Sequence, residues 1–268
     1  MIDSLGIIAG NGVYPLELAR NARAAGVVRV HVAAFDNETR PDLAALVDSI
    51  AWLRVGQLGK LIAFFKKCGV KEAIMAGQIA PRNLFDLRPD FRTLLLLGRI
   101  KERNAESLFG GIADELAKDG ITLLPATTFL EQDLASAGHI GGPAVKRRVI
   151  EDLEFGYRIA KETSRLDIGQ TVVVRNGTVL AVEAFEGTNE AILRGGKLGR
   201  GAAVMVKVSK PKQDFRFDVP VIGVQTLETA TEAGILAIGV ETGKTLLLEG
   251  KKVIAEANTR KISIHGIG

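Results

Sequence analysis

Short apolar runs alternate with amphipathic stretches along the first half of the chain, and this alternation restricts the fold more than any other feature. The apolar runs lie at residues 5–9, 28–35, 50–55, 72–76 and 122–124, and the amphipathic stretches at 14–25, 60–67 and 104–119. Strands that alternate with helices form βαβ units, in which the strands are parallel. We therefore predict a Rossmann-like α/β domain with a parallel sheet over residues 1–135.

The second half of the chain opens with a breaker-rich segment and a hairpin signal. Residues 136–144 are rich in small residues, which is typical of an interdomain linker. A helical pattern covers residues 145–165, and Asn176-Gly177 then separates two apolar runs, which indicates a type I′ hairpin. Further strand and helix patterns follow, so we predict a second α/β domain with a mixed sheet over residues 145–268.

The composition narrows the function. Aromatic residues make up only 5% of the chain, so the core is aliphatic, as suits parallel strands covered by helices. Cys68 is the only cysteine, which excludes an intrachain disulfide and a cysteine-cluster metal site. A net charge of +4 and a pI near 9.2 favour an anionic ligand or surface. The sequence contains no stripe of basic residues with interleaved aromatics, so nucleic-acid binding is not predicted. Without a signal peptide or an apolar stretch of ~20 residues, a cytoplasmic location is expected.

Two loops of the first domain are candidates for ligand binding. Gly10-Asn11-Gly12 lies between the first strand and the first helix, where free backbone N–H groups favour an anion. Gln78 follows another buried strand, at the edge where parallel α/β sheets bind ligands. The alternatives are a plain tight turn and a solvated loop residue. A dinucleotide fingerprint fails, because Pro15 stands where its third glycine belongs.

Candidates in the second domain flank the hairpin. Asp167 could bind a metal or a ribose, or only turn the chain. Gly187 would let a phosphate approach the backbone, and Thr188 is expected to be the N-cap of the next helix. Glu183 and Glu186 could hold Mg²⁺, or only complement the helix dipole.

The densest charged cluster lies at residues 207–218. If Asp214, Arg216 and Asp218 are on an extended strand, all three share one face, with the two carboxylates about 13 Å apart. Two carboxylates so placed cannot easily share one metal, so we predict Asp218 as the principal ligand or catalytic acid. Nearby basic residues would neutralise a pyrophosphate, namely Lys207, Lys210, Lys212 and Arg216. The alternative is a solvated charged strand.

Five segments together resemble the LpxI-type UDP-2,3-diacylglucosamine pyrophosphatases. They are GIIAGNGVYPLELAR (6–20), AGQI (76–79), RLDIGQTVVV (165–174), LAVEAFEGTNEAILR (180–194) and KPKQDFRFDVPVIG (210–223). The order of the segments is that of the family, and the resemblance covers nearly the whole chain. One departure lies at residues 103–107, where the family often carries an acidic pair and this chain has only Glu106.

The resemblance implies a Mg²⁺-dependent hydrolase of lipid A synthesis. Its substrate would be UDP-2,3-diacylglucosamine, held in a cleft between two α/β domains, with water attacking the β-phosphorus to give UMP and 2,3-diacylglucosamine 1-phosphate (lipid X). Asp218 matches the essential aspartate and is the implied catalytic and metal-binding residue. The residues matched to ligand contact are Gly10, Asn11, Gly12, Gln78, Asp167, Gln170, Glu183, Gly187, Thr188, Lys210 and Gln213, to which the charged cluster adds Lys207 and Arg216.

Two other functions stay open from the sequence. A nucleotide-sugar or lipid-binding protein could use Asp218 only to hold its ligand. A nicotinamide oxidoreductase is suggested by the first glycine turn and by Asp36 after the second strand, although Pro15 argues against it. The amphiphilic substrate leaves open a peripheral contact with the inner membrane, and the sequence leaves open a homo-oligomer.

Overall fold

The computed structural model describes residues 2–79, 89–100 and 105–268. The chain forms two compact units. The first contains the chain up to Glu131 together with Asp214–Asp218, and the second contains Gln132–Gln213 and Val219–Gly268. Among the described residues, no helix combines the length and apolarity that a membrane crossing requires.

Five parallel strands form the sheet of the first unit within its described residues, in the order β3-β2-β1-β4-β5. The strands are β1 Ser4–Ala9, β2 Arg29–Phe35, β3 Ser49–Leu53, β4 Glu72–Ala76 and β5 Thr122–Leu123. The helices are α1 Tyr14–Ala24, α2 Leu58–Lys67, α3 Phe91–Arg99 and α4 Ala105–Lys118, with a 3₁₀ helix at Pro41–Leu46. Ile62 and Phe65 of α2 and Leu116 of α4 pack in one apolar cluster with residues of the sheet. The predicted Rossmann-like parallel sheet is confirmed.

Helix ends in the first unit follow from local chemistry. Pro15 lies in the first turn of α1, where a missing N–H leaves no bond unmade. Asp90 caps two helices: its carboxylate accepts from Thr93 N of α3 at 2.9 Å and from Gly59 N of α2 at 2.7 Å. The sequence patterns predicted α1, α2 and α4 to within two residues at each end but did not predict α3.

The second unit lies wholly within the described residues and has a six-stranded mixed sheet in the order β6-β13-β11-β9-β7-β8. Its strands are β6 Gly138–Gly141, β7 Thr171–Arg175, β8 Thr178–Val182, β9 Ala203–Lys207, β11 Ile235–Glu241 and β13 Ser263–Ile267, and β10 Val221–Ile222 pairs separately with β12 Leu246–Leu247. The helices are α5 Arg147–Arg165, α6 Thr188–Gly199, α7 Val224–Glu232 and α8 Gly250–Arg260. The predicted mixed sheet is confirmed.

The predicted linker at residues 136–144 differs from the structure. Gly138–Gly141 is β6, which pairs antiparallel with β13. In the same segment, Gly142 permits close backbone packing and does not serve as a flexible link. A Cβ on Gly142, where φ is +79°, would lie 1.9 Å from Ile262 O. The structure also departs from the predicted domain of residues 145–268, because Asp214–Asp218 groups with the first unit.

The β7–β8 hairpin turns at Asn176-Gly177, as predicted. Both residues have positive φ, 51° and 69°, as a type I′ turn requires. Asp152 of α5 is buried, and its carboxylate accepts from Asn176 N at 2.8 Å and from Gly177 N at 2.7 Å. The turn is therefore held by its own sequence and by a carboxylate from the neighbouring helix.

Replacing Asp152 by alanine should destabilise the second unit. The substitution leaves two backbone N–H groups of the turn without their charged acceptor, at a cost of about 2 kcal/mol. Urea unfolding measures the loss. Glu154→Ala removes an exposed carboxylate from the same helix and should change stability by less than about 0.5 kcal/mol, and equal losses in the two variants would contradict this role of Asp152.

Candidate active site

Two glycine turns contact each other through their backbones at the carboxyl ends of β1 and β4. Gly10 N donates to Ala76 O and Asn11 N donates to Gln78 O, both at 2.8 Å. A Cβ on Gly10 would lie 2.4 Å from Gln78 O, and a Cβ on Gly77 would lie 2.5 Å from Asn11 O. The structure thus brings together the predicted residues Gly10, Asn11 and Gln78, and only glycine permits the approach.

Two residues that follow β2 support this turn, and the sequence analysis missed them. Asn11 Nδ2 donates to Glu38 Oε2 at 3.0 Å, and Glu38 is buried. The hydroxyl of Thr39 donates to Ala9 O and accepts from Phe35 N. The available signal was their position directly after a strand of a parallel sheet, the edge at which such folds bind ligands.

The extended strand on which the spacing of Asp214 and Asp218 was argued is not formed. Asp214 O accepts from Phe217 N at 3.2 Å and from Asp218 N at 3.0 Å, so the segment forms a single helical turn. The β-carbons of residues four apart in such a turn are separated by about 6 Å rather than 13 Å. The geometric reason for separating Asp218 from Asp214 therefore disappears.

Asp214 forms an ion pair with Arg216. The guanidinium donates to both carboxylate oxygens, through Nη2 at 2.6 Å and Nε at 3.0 Å, and these bonds hold the pKa of Asp214 below its usual value. The segment is anchored in the first unit by Ala126 N, which donates to Phe215 O at 2.7 Å, and by the Phe217 ring, 5.7 Å from that of Phe109. The Arg216 charge, predicted to face a pyrophosphate, is shared with Asp214 in this arrangement.

The second unit brings Glu183, Thr188 and Lys207 together. Glu183 follows β8, and its Oε1 accepts from Thr188 Oγ1 at 2.7 Å. Lys207 Nζ lies 3.5 Å from the same hydroxyl. Glu183 Oε2 is buried and has no hydrogen-bond partner among the described residues.

The start of α6 differs from the prediction in one detail. Gly187, with φ of +85°, occupies the N-cap position, and Thr188 is the first helical residue. Thr188 does not cap the helix because its hydroxyl is used by Glu183. Glu186, predicted beside Glu183 as a metal ligand, is instead paired with Arg194, which holds its pKa below the usual value.

A second group of predicted residues surrounds the loop after β9. Gln170 Nε2 donates to Gln213 Oε1 at 3.2 Å, and Lys210 N donates to the same oxygen. The ammonium of Lys210 is paired with Asp167. This group is joined to Glu183 and Lys207 through β7, because Thr171 is opposite Lys207 in the β7–β9 register and Thr171 O accepts from Glu183 N at 2.8 Å.

The predicted site residues are divided between the two units. The first unit holds Gly10, Asn11, Gly12, Gln78, Arg216 and Asp218, and the second holds Asp167, Gln170, Glu183, Gly187, Thr188, Lys207, Lys210 and Gln213. Residues 103–107 are the segment that differs from the family pattern. Residues 103 and 104 lie outside the described residues, and Glu106 is an exposed residue in the first turn of α4.

The carboxylates fit Mg²⁺ only in a particular way. Within the described ranges, no three His, Cys, Asp or Glu side chains are placed to hold a metal between them. Mg²⁺ usually keeps several waters and is bound by one or two carboxylates with phosphates of the substrate. A Mg²⁺ ion held by one or two of these carboxylates would therefore need phosphate oxygens and waters as its remaining ligands.

Sequence comparison identifies the family. The chain matches the LpxI N-terminal domain over residues 4–133 and the LpxI C-terminal domain over residues 136–265. The chain belongs to the LpxI family. A relative in this family, the UDP-2,3-diacylglucosamine pyrophosphatase LpxI of Caulobacter vibrioides, is 31% identical over 98% of this chain and 97% of its own length. Both groups of site residues lie within the LpxI matches.

Solved structures resemble the chain only distantly. The biotin carboxylase of Campylobacter jejuni has a TM-score of 0.30 at 13% identity, with 80% of this chain and 46% of that chain covered. The crystal structure of gox2253 has a TM-score of 0.32 at 10% identity, with 97% and 87% covered. Neither likeness supports a conclusion about function.

Replacing Gly77 by alanine should separate the two glycine turns. The new Cβ would meet Asn11 O in a backbone conformation with φ of +89°, so we expect a loss of about 2–4 kcal/mol in stability. Gly69→Ala is the matched control, because Gly69 has φ of +70° but open space around its Cα. Thermal unfolding of both variants decides: equal losses would show that the close approach contributes nothing beyond the strained φ.

Proposed function

We propose that this LpxI family member hydrolyses the pyrophosphate of UDP-2,3-diacylglucosamine to UMP and lipid X in lipid A synthesis, with Mg²⁺ and with water attacking the β-phosphorus. The observation that carries the proposal is the match over nearly the full length to a relative named for this activity. It is supported by the positions of the matched residues at the ends of strands in both units. The ligand cleft between the two domains stays a prediction.

The second unit offers the groups that a diphosphate needs. The first turn of α6 presents backbone N–H groups and the positive end of the helix dipole, next to Gly187, which has no side chain to block an anion. The ammonium of Lys207 lies beside this helix start, close to the Thr188 hydroxyl. We propose that these groups bind the phosphates, with Lys210 adding a further positive charge.

Asp218 is the residue that we propose to hold Mg²⁺ and to orient the attacking water. The chemistry that a bound Mg²⁺ supplies is charge neutralisation of the diphosphate and a lower pKa of water. Asp214, one turn earlier, is neutralised by Arg216 and is assigned the lesser role of shaping this turn. Pyrophosphate hydrolysis asks the protein mainly for such positioning and charge stabilisation.

The variant Asp218→Asn tests this assignment. It preserves the shape of the side chain but removes its charge, so we expect kcat to fall about 100-fold or more while substrate still binds. Asp214→Asn, one turn away, should lower kcat by less than about tenfold. Steady-state kinetics with circular dichroism as a check of folding measure both, and similar losses in the two variants would refute the separate role of Asp218.

Isotope labelling and metal removal test the chemistry. Incubation with UDP-2,3-diacylglucosamine and Mg²⁺ in ¹⁸O-water should place the label in lipid X, whereas label in UMP would show attack at the α-phosphorus. EDTA should abolish turnover and added Mg²⁺ should restore it.

A folded protein that binds the substrate but releases no UMP would be a non-catalytic binding protein instead. The cytoplasmic location, the membrane contact and the homo-oligomer stay predictions.

A further inference from the structure

A buried ion-pair cluster lies at the end of β11, and none of its members was among the predicted site residues. Glu241, the last residue of β11, is 3% exposed. Its carboxylate accepts from Lys161 Nζ of α5 at 3.1 Å and from Lys244 Nζ at 2.8 Å. Burial pushes the pKa of Glu241 up, but the hydrogen bonds it accepts outweigh burial and bring its pKa to about 2. The carboxylate is therefore ionised at neutral pH.

This cluster holds every polar group of one loop residue, Ser209. Glu241 Oε2 accepts from Ser209 N at 2.8 Å and from Ser209 Oγ at 2.7 Å. Lys161 Nζ donates to Ser209 O at 2.8 Å. Ser209 is 1% exposed, so these bonds are made away from water, where leaving one unmade is costly.

Ser209 directly precedes the loop of residues 210–213, which carries Lys210 and Gln213. The next residue is Lys210, whose backbone N–H donates to Gln213 Oε1, and Gln213 N donates back to Lys210 O at 3.2 Å. The loop is thus closed on itself by Lys210 and Gln213. The position of this loop in the second unit therefore depends on the bonds that hold Ser209.

We infer that Lys161 and Glu241 are positioning residues of the hydrolase, which fix Ser209 and so hold Lys210 and Gln213 in place for the diphosphate. The inference rests on the proposed function. Neither residue is assigned a contact with the substrate: both act through the backbone and hydroxyl of Ser209. Small displacements of groups that stabilise a transition state reduce turnover strongly, so loosening this anchor should be visible in kcat.

The competing explanation is that the cluster only stabilises the fold, and a matched cluster in the first unit separates the two. Glu115 is buried and paired with Arg92, Arg99 and Lys118, but contacts no predicted site residue in these ion pairs. Glu115→Gln and Glu241→Gln each remove one buried carboxylate charge among basic partners. A purely structural role predicts the same kinetic outcome for both variants.

The experiment compares Glu241→Gln, Lys161→Met and Lys161→Arg with Glu115→Gln in the full-length protein. Glu241→Gln should lower kcat about tenfold or more with KM changed less than about threefold. Lys161→Met removes the bond to Ser209 O together with the bonds to Glu241, while Glu241 stays paired with Lys244 and keeps its own bonds to Ser209. Lys161→Arg, which keeps a charged donor, should recover kcat relative to Lys161→Met, and Glu115→Gln should leave kcat unchanged.

Hydrogen exchange at residues 210–213 gives a readout that needs no substrate. In Glu241→Gln the amides of Lys210 and Gln213 should exchange about tenfold faster or more, and in Glu115→Gln they should exchange as in the wild type. Wild-type kcat and exchange in both Glu241→Gln and Lys161→Met would overturn the inference. If the wild-type protein releases no UMP, the proposed function fails, while the exchange rates still decide whether the pair holds this loop.

Discussion

The contact between two glycine turns sets the geometry of the first unit. In a parallel sheet the loops that follow β1 and β4 leave the same edge, and here their backbones touch because neither Gly10 nor Gly77 carries a Cβ. The backbone N–H of Asn11 donates to Gln78 O, and the side-chain amide of Asn11 donates to Glu38. The orientation of the predicted ligand-binding turn is therefore a consequence of backbone packing. The side chains of Glu38 and Thr39, in the loop after β2, stabilise it further.

The sequence was sufficient where the structure is decided by local chemistry. Alternation of apolar runs and helices identified the parallel sheet, because each βαβ unit is compatible with few arrangements. Asn176-Gly177 identified its turn, because few residue pairs accept two positive φ angles in succession. By contrast, β6 was missed because four residues at Gly138–Gly141 carry little periodic signal, and this strand exists through its pairing with β13.

The sequence was insufficient where distant parts of the chain decide the outcome. Alternating charged and aromatic residues at 214–218 have the period of a strand, but Phe215 and Phe217 contact residues 89 and 108 positions earlier in the sequence. Phe217 packs near Phe109, and Phe215 O is bonded by Ala126 N. Glu38 and Glu241 were overlooked because a single acidic residue at or after the end of a strand cannot be distinguished from a solvated one until its partners are known. Most of the site residues predicted from the sequence came from motifs that the family resemblance matched, and they stay predictions.

The membership of Asp214–Asp218 in the first unit has a consequence for biosynthesis. The chain leaves the first unit after Glu131 and returns to it for only five residues, one of which adds an aromatic ring to the core around α2 and α4. During translation, the amino-terminal sheet can assemble early, but its final apolar contact is made only after the ribosome has passed Asp218. Domains generally fold as they emerge, and for this protein completion of the first domain is tied to synthesis of most of the second.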